Sequence, residues 1–218
     1  MIMAKNYTYK TYKSKQEWLK HRVIGGSQAS SILDLNPWQS KLDLFMILTG
    51  LKQEKDKDSK YIQYGIEHEP LIRNKAKELF KDQYIIKDPK PYRIFTRKDK
   101  PFMTATIDGT IKDKATNQQG ILEIKTHEVR NANDYSQWLV KIPDNYYAQV
   151  LHYLAILNDY DFVIIIVELR FKDNTTKLIH YRIDRVNVIK DINYLVDKET
   201  EFYNGNVLTK IMPGLKYK

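Results

Sequence analysis

Cysteine is absent from this sequence of 218 residues. Disulfide bonds, thiolate nucleophiles, cysteine-ligated zinc and iron–sulfur clusters are therefore excluded. Long apolar segments are absent as well, because the longest run, Phe162 to Val167, is only as long as a strand, whereas a membrane-spanning helix needs about 20 apolar residues. The N-terminus, from Met1 to Tyr7, lacks the apolar core of a signal peptide. These absences predict a cytoplasmic protein that does not enter a membrane.

Nucleotide-binding and histidine-zinc motifs are missing too. No Walker-type or Rossmann glycine loop occurs, so nucleotide hydrolysis has no support. The histidines, at positions 21, 68, 127, 152 and 180, form no HxH, HxxxH or HExxH pair. Positive charge is in excess, since 36 Lys and Arg against 27 Asp and Glu give a net charge of +9. A basic surface favours polyanions such as nucleic acid, although charge alone does not identify the partner.

The apolar pattern predicts a single domain over residues 1–218, with a helical part (14–80) followed by a sheet and helices (84–204). Ser14 and Ser27 are predicted N-caps, Gly50 ends a helix that starts at Lys41, and Pro70 predicts a kink or a helix start. Further along the chain, strands are predicted at 84–86, 92–96, 102–111, 121–126, 162–167 and 177–183, and helices at 144–157, capped by Asp144, and 185–203. Helices flanking one mixed central sheet form an α/β, or α+β, layered architecture.

Two consecutive predicted strands carry acidic residues and a lysine. Glu123 and Lys125 alternate with Leu122 and Ile124, so they share one face of their strand, and Asp108 is assigned to the preceding strand. Mg²⁺ prefers carboxylate oxygens, and a lysine beside it can orient or deprotonate water and offset transition-state charge. The pattern predicts a Mg²⁺-dependent phosphodiester hydrolase that cuts DNA. The alternative interpretation is an exposed Glu–Lys pair beside a common turn.

Other polar residues fall on predicted helices. Glu69 is predicted on an apolar helix face, where a carboxylate is costly unless it binds metal or pairs with a base such as Arg73. Gln149 and Tyr153 are four residues apart and therefore share a helix face. The glutamine can contact a phosphate or brace an active-site carboxylate. The alternative is a partly exposed helix face without a function.

Gly25-Gly26-Ser27 precedes a predicted helix and is a candidate anion site. Glycines before a helix expose backbone N–H groups, and the helix dipole favours a phosphate. Ser27 can add its hydroxyl, and Arg22 and Lys41 can add charge. An ordinary helix cap is the alternative interpretation.

Taken in order, these motifs resemble the YqaJ-type viral recombinases, relatives of phage lambda exonuclease in the PD-(D/E)XK nuclease superfamily. The resemblance covers roughly residues 16–170. The matching positions are Arg22, Ile24 to Ser27, Leu35-Asn36-Pro37-Trp38, Leu44, Thr49-Gly50, Gly65 with Glu69-Pro70, Asp108-Gly109, Glu123 with Lys125, and Gln149 with Tyr153.

The resemblance implies a restriction-endonuclease-like core and a 5′→3′ exonuclease that acts on ends of double-stranded DNA, leaving 3′ single-stranded tails for phage-type recombination. It implies two Mg²⁺ ions, which Mn²⁺ can replace, a homotrimer, a partner single-strand annealing protein, and the cytoplasm of a bacterial host cell. The implied roles are metal ligation by Asp108, Glu123, the Ile124 carbonyl and Glu69, catalysis by Lys125, positioning by Gln149 with support from Tyr153, and 5′-phosphate binding by Ser27, Arg22 and Lys41.

Some positions depart from the family pattern. Arg22 stands closer to the glycine pair than expected, Gln28 replaces an expected acidic residue, and Ile107 rather than proline precedes Asp108. The sequence after about Val186 carries no assigned motif. Two other classes remain open: a restriction-like or repair endonuclease of the same superfamily, and a non-catalytic DNA-binding module on the same fold.

Overall fold

The computed structural model describes residues 4–53 and 59–214, so the expectation drawn from the first three residues lies outside the described part. The strands are β1 (Tyr7–Thr11), β2 (Tyr84–Lys87), β3 (Arg93–Arg97), β4 (Thr104–Ala105), β5 (Gly109–Asp113), β6 (Gln119–Glu128), β7 (Phe162–Arg170) and β8 (Thr176–Asp184). The helices are α1 (Lys15–Lys20), α2 (Gly26–Ile32), α3 (Lys41–Leu48), α4 (Lys60–Leu79), α5 (Ala132–Val140), α6 (Asp144–Ile156) and α7 (Ile189–Phe202). A 3-10 turn, Arg185–Asn187, precedes α7, and a π-helical turn, Tyr203–Val207, follows it.

The strands form two sheets rather than one. Five strands in the order β2-β5-β6-β7-β8 make a mixed sheet, in which only the β6–β7 pair is parallel. Strands β1, β3 and β4 make a separate antiparallel sheet. The α+β class is confirmed. The expectation of a single sheet is wrong for the predicted strand 92–96 and for the first part of the predicted strand 102–111, because these segments form β3 and β4 of the small sheet.

Apolar side chains pack on both faces of the five-stranded sheet. The smaller cluster lies against α4 and includes Ile72, Ala76, Leu122 and Ile124. The larger cluster contains residues of α2, α6 and α7 together with the small sheet. Strand β7 is buried along nearly its whole length, as its continuous apolar run predicts. In the described part of the chain, no helix has the length and apolarity needed to cross a membrane.

Helix α4 runs through Pro70 without ending there. Its predicted apolar face is partly wrong, because Ile62 and Ile66 are 37% and 55% exposed, whereas Ile72 and Ala76 are buried. Proline removes the N–H that would bond to the carbonyl four residues earlier. That carbonyl belongs to Ile66, and both residues lie on the exposed side, where water can solvate the unpaired group.

Helix starts are only partly as predicted. Ser14 caps α1, as expected. Gly25 rather than Ser27 is the N-cap of α2, and Ser27 lies inside the first turn. Pro143 rather than Asp144 is the N-cap of α6. A predicted cap serine or aspartate can be displaced by one or two residues, because sheet and helix packing fixes where the chain turns.

A buried ionisable pair joins α6 to α7. The side chains of His152 and Glu199 are fully buried, with His152 Nδ1 2.7 Å from Glu199 Oε1 and Nε2 2.9 Å from the Thr104 carbonyl oxygen. Because both ring nitrogens face acceptors, the geometry fits the imidazolium form. Burial lowers the pKa of His152, but the Glu199 charge and the hydrogen bonds outweigh it, so that the pKa lies above its ordinary value of 6.5.

We expect Glu199→Gln to lower the free energy of unfolding by about 3 kcal/mol, since it leaves the buried partner without its counter-charge. The raised pKa of His152 means that the pair stabilises the fold fully below pH 6.5 and that this contribution is lost as pH rises through the folded-state pKa. Urea unfolding of wild type and variant across this pH range measures the difference. Glu201→Gln, exposed on the same helix, is the control; equal losses in both variants would contradict the prediction.

Candidate active site

Asp108 lies in a bend between β4 and β5, where the predicted continuous strand 102–111 is interrupted. Its Oδ2 accepts a hydrogen bond from the Ile124 N–H at 2.8 Å. The carboxylate therefore takes the place of a strand partner beside β6, just before β5 begins. Gly109 makes this entry close, because a Cβ there would lie 2.9 Å from the Lys87 carbonyl oxygen of β2. A side chain at Gly109 would push β5 away and move Asp108 with it.

Glu123 is buried on the face of β6 that contacts α6. Its Oε1 accepts hydrogen bonds from Lys125 Nζ at 2.8 Å and from Gln149 Nε2 at 2.6 Å. Gln149 Nε2 also donates to the Tyr153 hydroxyl at 2.6 Å. The predicted shared faces of Glu123 with Lys125, and of Gln149 with Tyr153, are confirmed. Gln149 braces a carboxylate, which is one of the two roles that the sequence left open.

The charge of Asp108 disfavours ionisation of Glu123. Burial and then the Asp108 charge raise the pKa of Glu123 to about 8, against the lowering effect of Lys125. Burial also raises the pKa of Asp108, although Lys125 and the Ile124 N–H oppose the rise. Two adjacent carboxylates away from bulk water are costly in their charged form. The pair is therefore suited to bind a cation.

Lys125 is largely buried beside Glu123, and its Nζ lies 4.9 Å from the centre of the Tyr146 ring. Burial lowers the pKa of Lys125, but the charges of Glu123 and Asp108 outweigh burial and leave the pKa raised. In this arrangement the lysine is an ammonium that offsets carboxylate charge and points its donors into the site.

Glu69 approaches Asp108 from α4. It forms a salt bridge with Arg73, one turn further along the helix, and Arg73 Nε donates to the Asp108 carbonyl oxygen at 2.8 Å. Burial and the Asp108 charge raise the pKa of Glu69 to about 7. The pairing with Arg73, which the sequence offered as the alternative to metal binding, is confirmed. Arg73 thus ties Glu69 to the backbone of the candidate site.

The residues at this junction fit one divalent cation. Glu123 Oε2 is buried and has no hydrogen-bond partner among the residues that the structure describes, which makes it available as a ligand. The Ile124 N–H points toward Asp108, and the carbonyl of a strand residue points to the same side as its N–H. Nowhere in residues 4–53 and 59–214 do three or more His, Asp or Glu side chains group as a metal site. The groups here that could hold a cation are therefore two carboxylates and a main-chain oxygen.

Helix α2 packs its first turn directly against the helix that braces Glu123. A Cβ at Gly26 would lie 2.6 Å from Tyr153 Cε1 and 2.9 Å from Gln149 Cγ. The Gln28 side chain accepts a hydrogen bond from the Gly25 N–H at 2.7 Å. Gln28 can therefore do what the expected acidic residue would do at this position, since either side chain can accept from the cap N–H.

The three residues predicted to hold a phosphate do not form one cluster. Ser27 is exposed near the start of α2. The Arg22 guanidinium lies 4.6 Å from the Trp18 ring centre and close to Gly25. Lys41 Nζ instead forms a salt bridge of 3.1 Å with Asp34, beyond the other end of α2. Arg22 and Ser27 flank the glycine pair, and Lys41 is engaged elsewhere.

We expect Gly26→Ala to lower the catalytic rate of the candidate site about tenfold and the free energy of unfolding by about 1–3 kcal/mol. The reason is that the new methyl group displaces Tyr153 and Gln149. The measurements are the cleavage rate proposed below and urea unfolding. Gly205→Ala is the matched control, since a Cβ at Gly205 meets nothing within 4 Å. A Gly26→Ala protein with wild-type activity and stability would show that Gly26 is not packed tightly against Tyr153 and Gln149.

Two residues of the site were not singled out by the sequence. The sequence predicts Arg73 only as a partner of Glu69, and the hydrogen bond of Arg73 to the Asp108 carbonyl has no sequence signal. Tyr146 lies beside Lys125 and precedes Gln149 by three residues, so helical spacing was the available signal.

Solved structures share this fold. The alkaline exonuclease LHK-Exo of Laribacter hongkongensis is 15% identical with a TM-score of 0.56, over 90% of this chain and 100% of that chain. A phage-related exonuclease of Haemophilus somnus 129PT is 15% identical with a TM-score of 0.55, over 88% of this chain and 98% of that chain. The architecture is therefore the restriction-endonuclease-like α+β fold of these proteins.

Residues 16–160 match the model of the YqaJ-like viral recombinase domain. The chain belongs to the YqaJ-like viral recombinase family. An uncharacterized protein YqaJ of Bacillus subtilis (strain 168) is 29% identical over 224 residues. The alignment covers 98% of this chain but 62% of that relative, so this chain spans less than two thirds of the relative's length.

Proposed function

We propose that the protein is a Mg²⁺-dependent deoxyribonuclease that digests one strand of linear double-stranded DNA in the 5′→3′ direction and leaves 3′ single-stranded tails. The observation that carries the proposal is the Glu123 carboxylate, held by Lys125 and Gln149 beside Asp108, with one buried oxygen lacking a partner among the described residues. Family membership and the exonucleases that share the fold support the same reaction.

The side chains divide the work of phosphodiester hydrolysis. Asp108, Glu123 and the Ile124 carbonyl would hold the cation, and a cation bound there would supply polarisation of a phosphoryl oxygen and a lowered pKa of water. Lys125 orients the attacking water and offsets the charge that develops on the phosphate. Gln149 fixes the Glu123 carboxylate in one orientation, since it donates to Oε1.

The further features of the proposal rest on the resemblance. They are a second Mg²⁺ near Glu69, replacement by Mn²⁺, a homotrimer, a partner single-strand annealing protein and a bacterial cytoplasm. Arg73 holds Oε1 of Glu69 in this structure, so the other carboxylate oxygen would be the one to bind a cation.

Digestion of matched DNA substrates tests the proposal. The protein is incubated with linear duplex or with covalently closed circular duplex, in Mg²⁺ or in EDTA. We expect loss of the linear duplex in Mg²⁺ alone, with 3′ tails among the products. Cleavage of the closed circle would favour an endonuclease on the same fold. Binding of DNA without cleavage in Mg²⁺ or Mn²⁺ would favour a non-catalytic module.

We expect wild type to digest a 5′-phosphorylated duplex faster than a 5′-hydroxyl duplex. Ser27→Ala, and Arg22→Ala more strongly, should reduce this preference by about tenfold, since a hydrogen bond to a charged group contributes roughly 1.5–3 kcal/mol. The ratio of rates on the two ends, at fixed salt, is the measurement. The absolute rate on the 5′-hydroxyl end is the control. Because α2 contacts Gln149 and Tyr153, a substitution that disturbed the catalytic groups through this helix would lower that rate as well. If both variants keep the preference, the phosphate is held elsewhere.

A further inference from the structure

An exposed tryptophan stands beside the candidate active site. Trp38 is 75% exposed, although burying so large an aromatic side chain is favourable. Its loop is held in place, because Asn36 Oδ1 accepts hydrogen bonds from the N–H groups of Trp38 and Gln39 at 2.8 and 3.1 Å, and Asn36 Nδ2 donates to the Ser27 carbonyl oxygen at 3.2 Å. A rigid loop therefore presents the indole ring to solvent.

Trp38 shares the lining of a cavity of about 590 Å³ with three further aromatic side chains, His127, Trp138 and Tyr146. The rings of these three contact one another in series, with centroid distances of 5.0 and 5.9 Å. The cavity volume lies within the range of ligand-binding clefts, roughly 300–1,000 Å³. An aromatic lining suits a flat aromatic ligand.

One side chain of the cleft also contacts a candidate catalytic group. Tyr146 lines the cleft, and Lys125 Nζ, which contacts Glu123, lies 4.9 Å from the Tyr146 ring centre. The cleft is therefore one aromatic ring away from the candidate active site.

The cleft carries two exposed cations at its rim. Arg130 and Lys141 are both mostly exposed. Each forms an ion pair on the same rim, since Arg130 Nε lies 3.6 Å from Asp134 Oδ2 and Lys141 Nζ lies 2.8 Å from Asp144 Oδ1, and ion pairs of such exposed cations are weak enough to exchange for a phosphate. Aromatic faces with cations at the rim are the combination that binds single-stranded nucleic acid through base stacking.

We propose that the cleft lined by Trp38 and Tyr146 binds unpaired bases of a DNA strand, and that Trp38 stacks on one of them. This inference rests on the proposed function, because it assigns the occupant of a cleft that opens beside the same site. Stacking acts on the base and not on the phosphate, so it can be separated from the general attraction of a basic protein for DNA.

The test compares two oligonucleotides of equal length and charge, a thymidine oligonucleotide and one with abasic sugars. Their affinities are measured in EDTA by fluorescence anisotropy, with wild type, Trp38→Ala, Trp38→Phe and Tyr194→Ala. Tyr194 is an exposed aromatic residue beside Lys198 on α7 and lines a different cavity, so it is the matched control. Urea unfolding shows whether each variant is folded.

We expect wild type to prefer the thymidine oligonucleotide, Trp38→Ala to lose at least about tenfold of this preference, and Trp38→Phe and Tyr194→Ala to keep most of it. A wild type without preference, or a folded Trp38→Ala protein that keeps it, overturns the inference. A protein partner in the cleft predicts this negative result. Cleavage of linear duplex by the same wild-type preparation is scored separately, so failure of the proposed function and failure of the stacking site are distinguishable.

Discussion

Glu123→Gln is expected to lower the rate of DNA cleavage by at least about a hundredfold, or on the order of 3 kcal/mol of transition-state stabilisation. The amide keeps the size of the side chain and one acceptor for Lys125 and Gln149, but it removes the charge that binds the cation. The measurement is the initial rate on linear duplex in Mg²⁺, with the unfolding free energy determined in parallel. The fold should not be destabilised, because the substitution relieves repulsion between Glu123 and Asp108.

Glu128→Gln provides the control for this result. Glu128 lies on the same strand but pairs with Arg170 at 2.5 Å and makes no contact with Glu123 or Asp108. The cleavage rate of the Glu128→Gln variant should therefore stay within about twofold of wild type. Wild-type cleavage by Glu123→Gln would show that the cation is held by other groups.

Lys125→Ala should reduce turnover by about a hundredfold to a thousandfold, as expected for the removal of a donor aimed at developing charge. DNA binding should survive, since one lysine is a small part of a chain with 36 Lys and Arg residues. Binding is measured in Ca²⁺, which supports poor catalysis, and cleavage in Mg²⁺. Lys177→Ala is the control, because Lys177 lies on the edge strand β8 and contacts the Tyr135 hydroxyl of α5.

The opposite pattern would reverse the assignment. If Lys125→Ala lost DNA binding but kept its rate per bound complex, the lysine would be a backbone contact and not a catalytic group. If both lysine variants lost activity equally, the general basic surface would be responsible.

Local periodicity was sufficient for much of the site. The alternation along β6 placed Glu123 and Lys125 on one face, and helical spacing placed Gln149 beside Tyr153. Such relationships involve neighbours on a single strand or helix, so they do not depend on how the rest of the chain folds. The predicted position of Asp108 beside β6 is confirmed, although Asp108 lies in a bend.

Non-local pairing explains what the sequence could not predict. Strand β1 pairs with β3 in the register Tyr7 to Arg97, across ninety residues of chain, and no pattern within either segment records this choice. The segment 102–111 is predicted as one strand because its strand-like pattern is the same whether or not its two parts join the same sheet. The salt bridge of Arg73 with Glu69 had a local signal, but its bond to the Asp108 carbonyl did not.

Helix α6 is held by contacts on two sides. Gln149 and Tyr153 contact Glu123 and α2, and His152 contacts Glu199 of α7. A selection for loss of activity should therefore recover substitutions far from any reacting atom. Changes at Glu199 would be among them, and they would resemble partial changes at Gln149, because both loosen the same helix. Revertants should appear in α7, as second substitutions that supply His152 with a new buried acceptor.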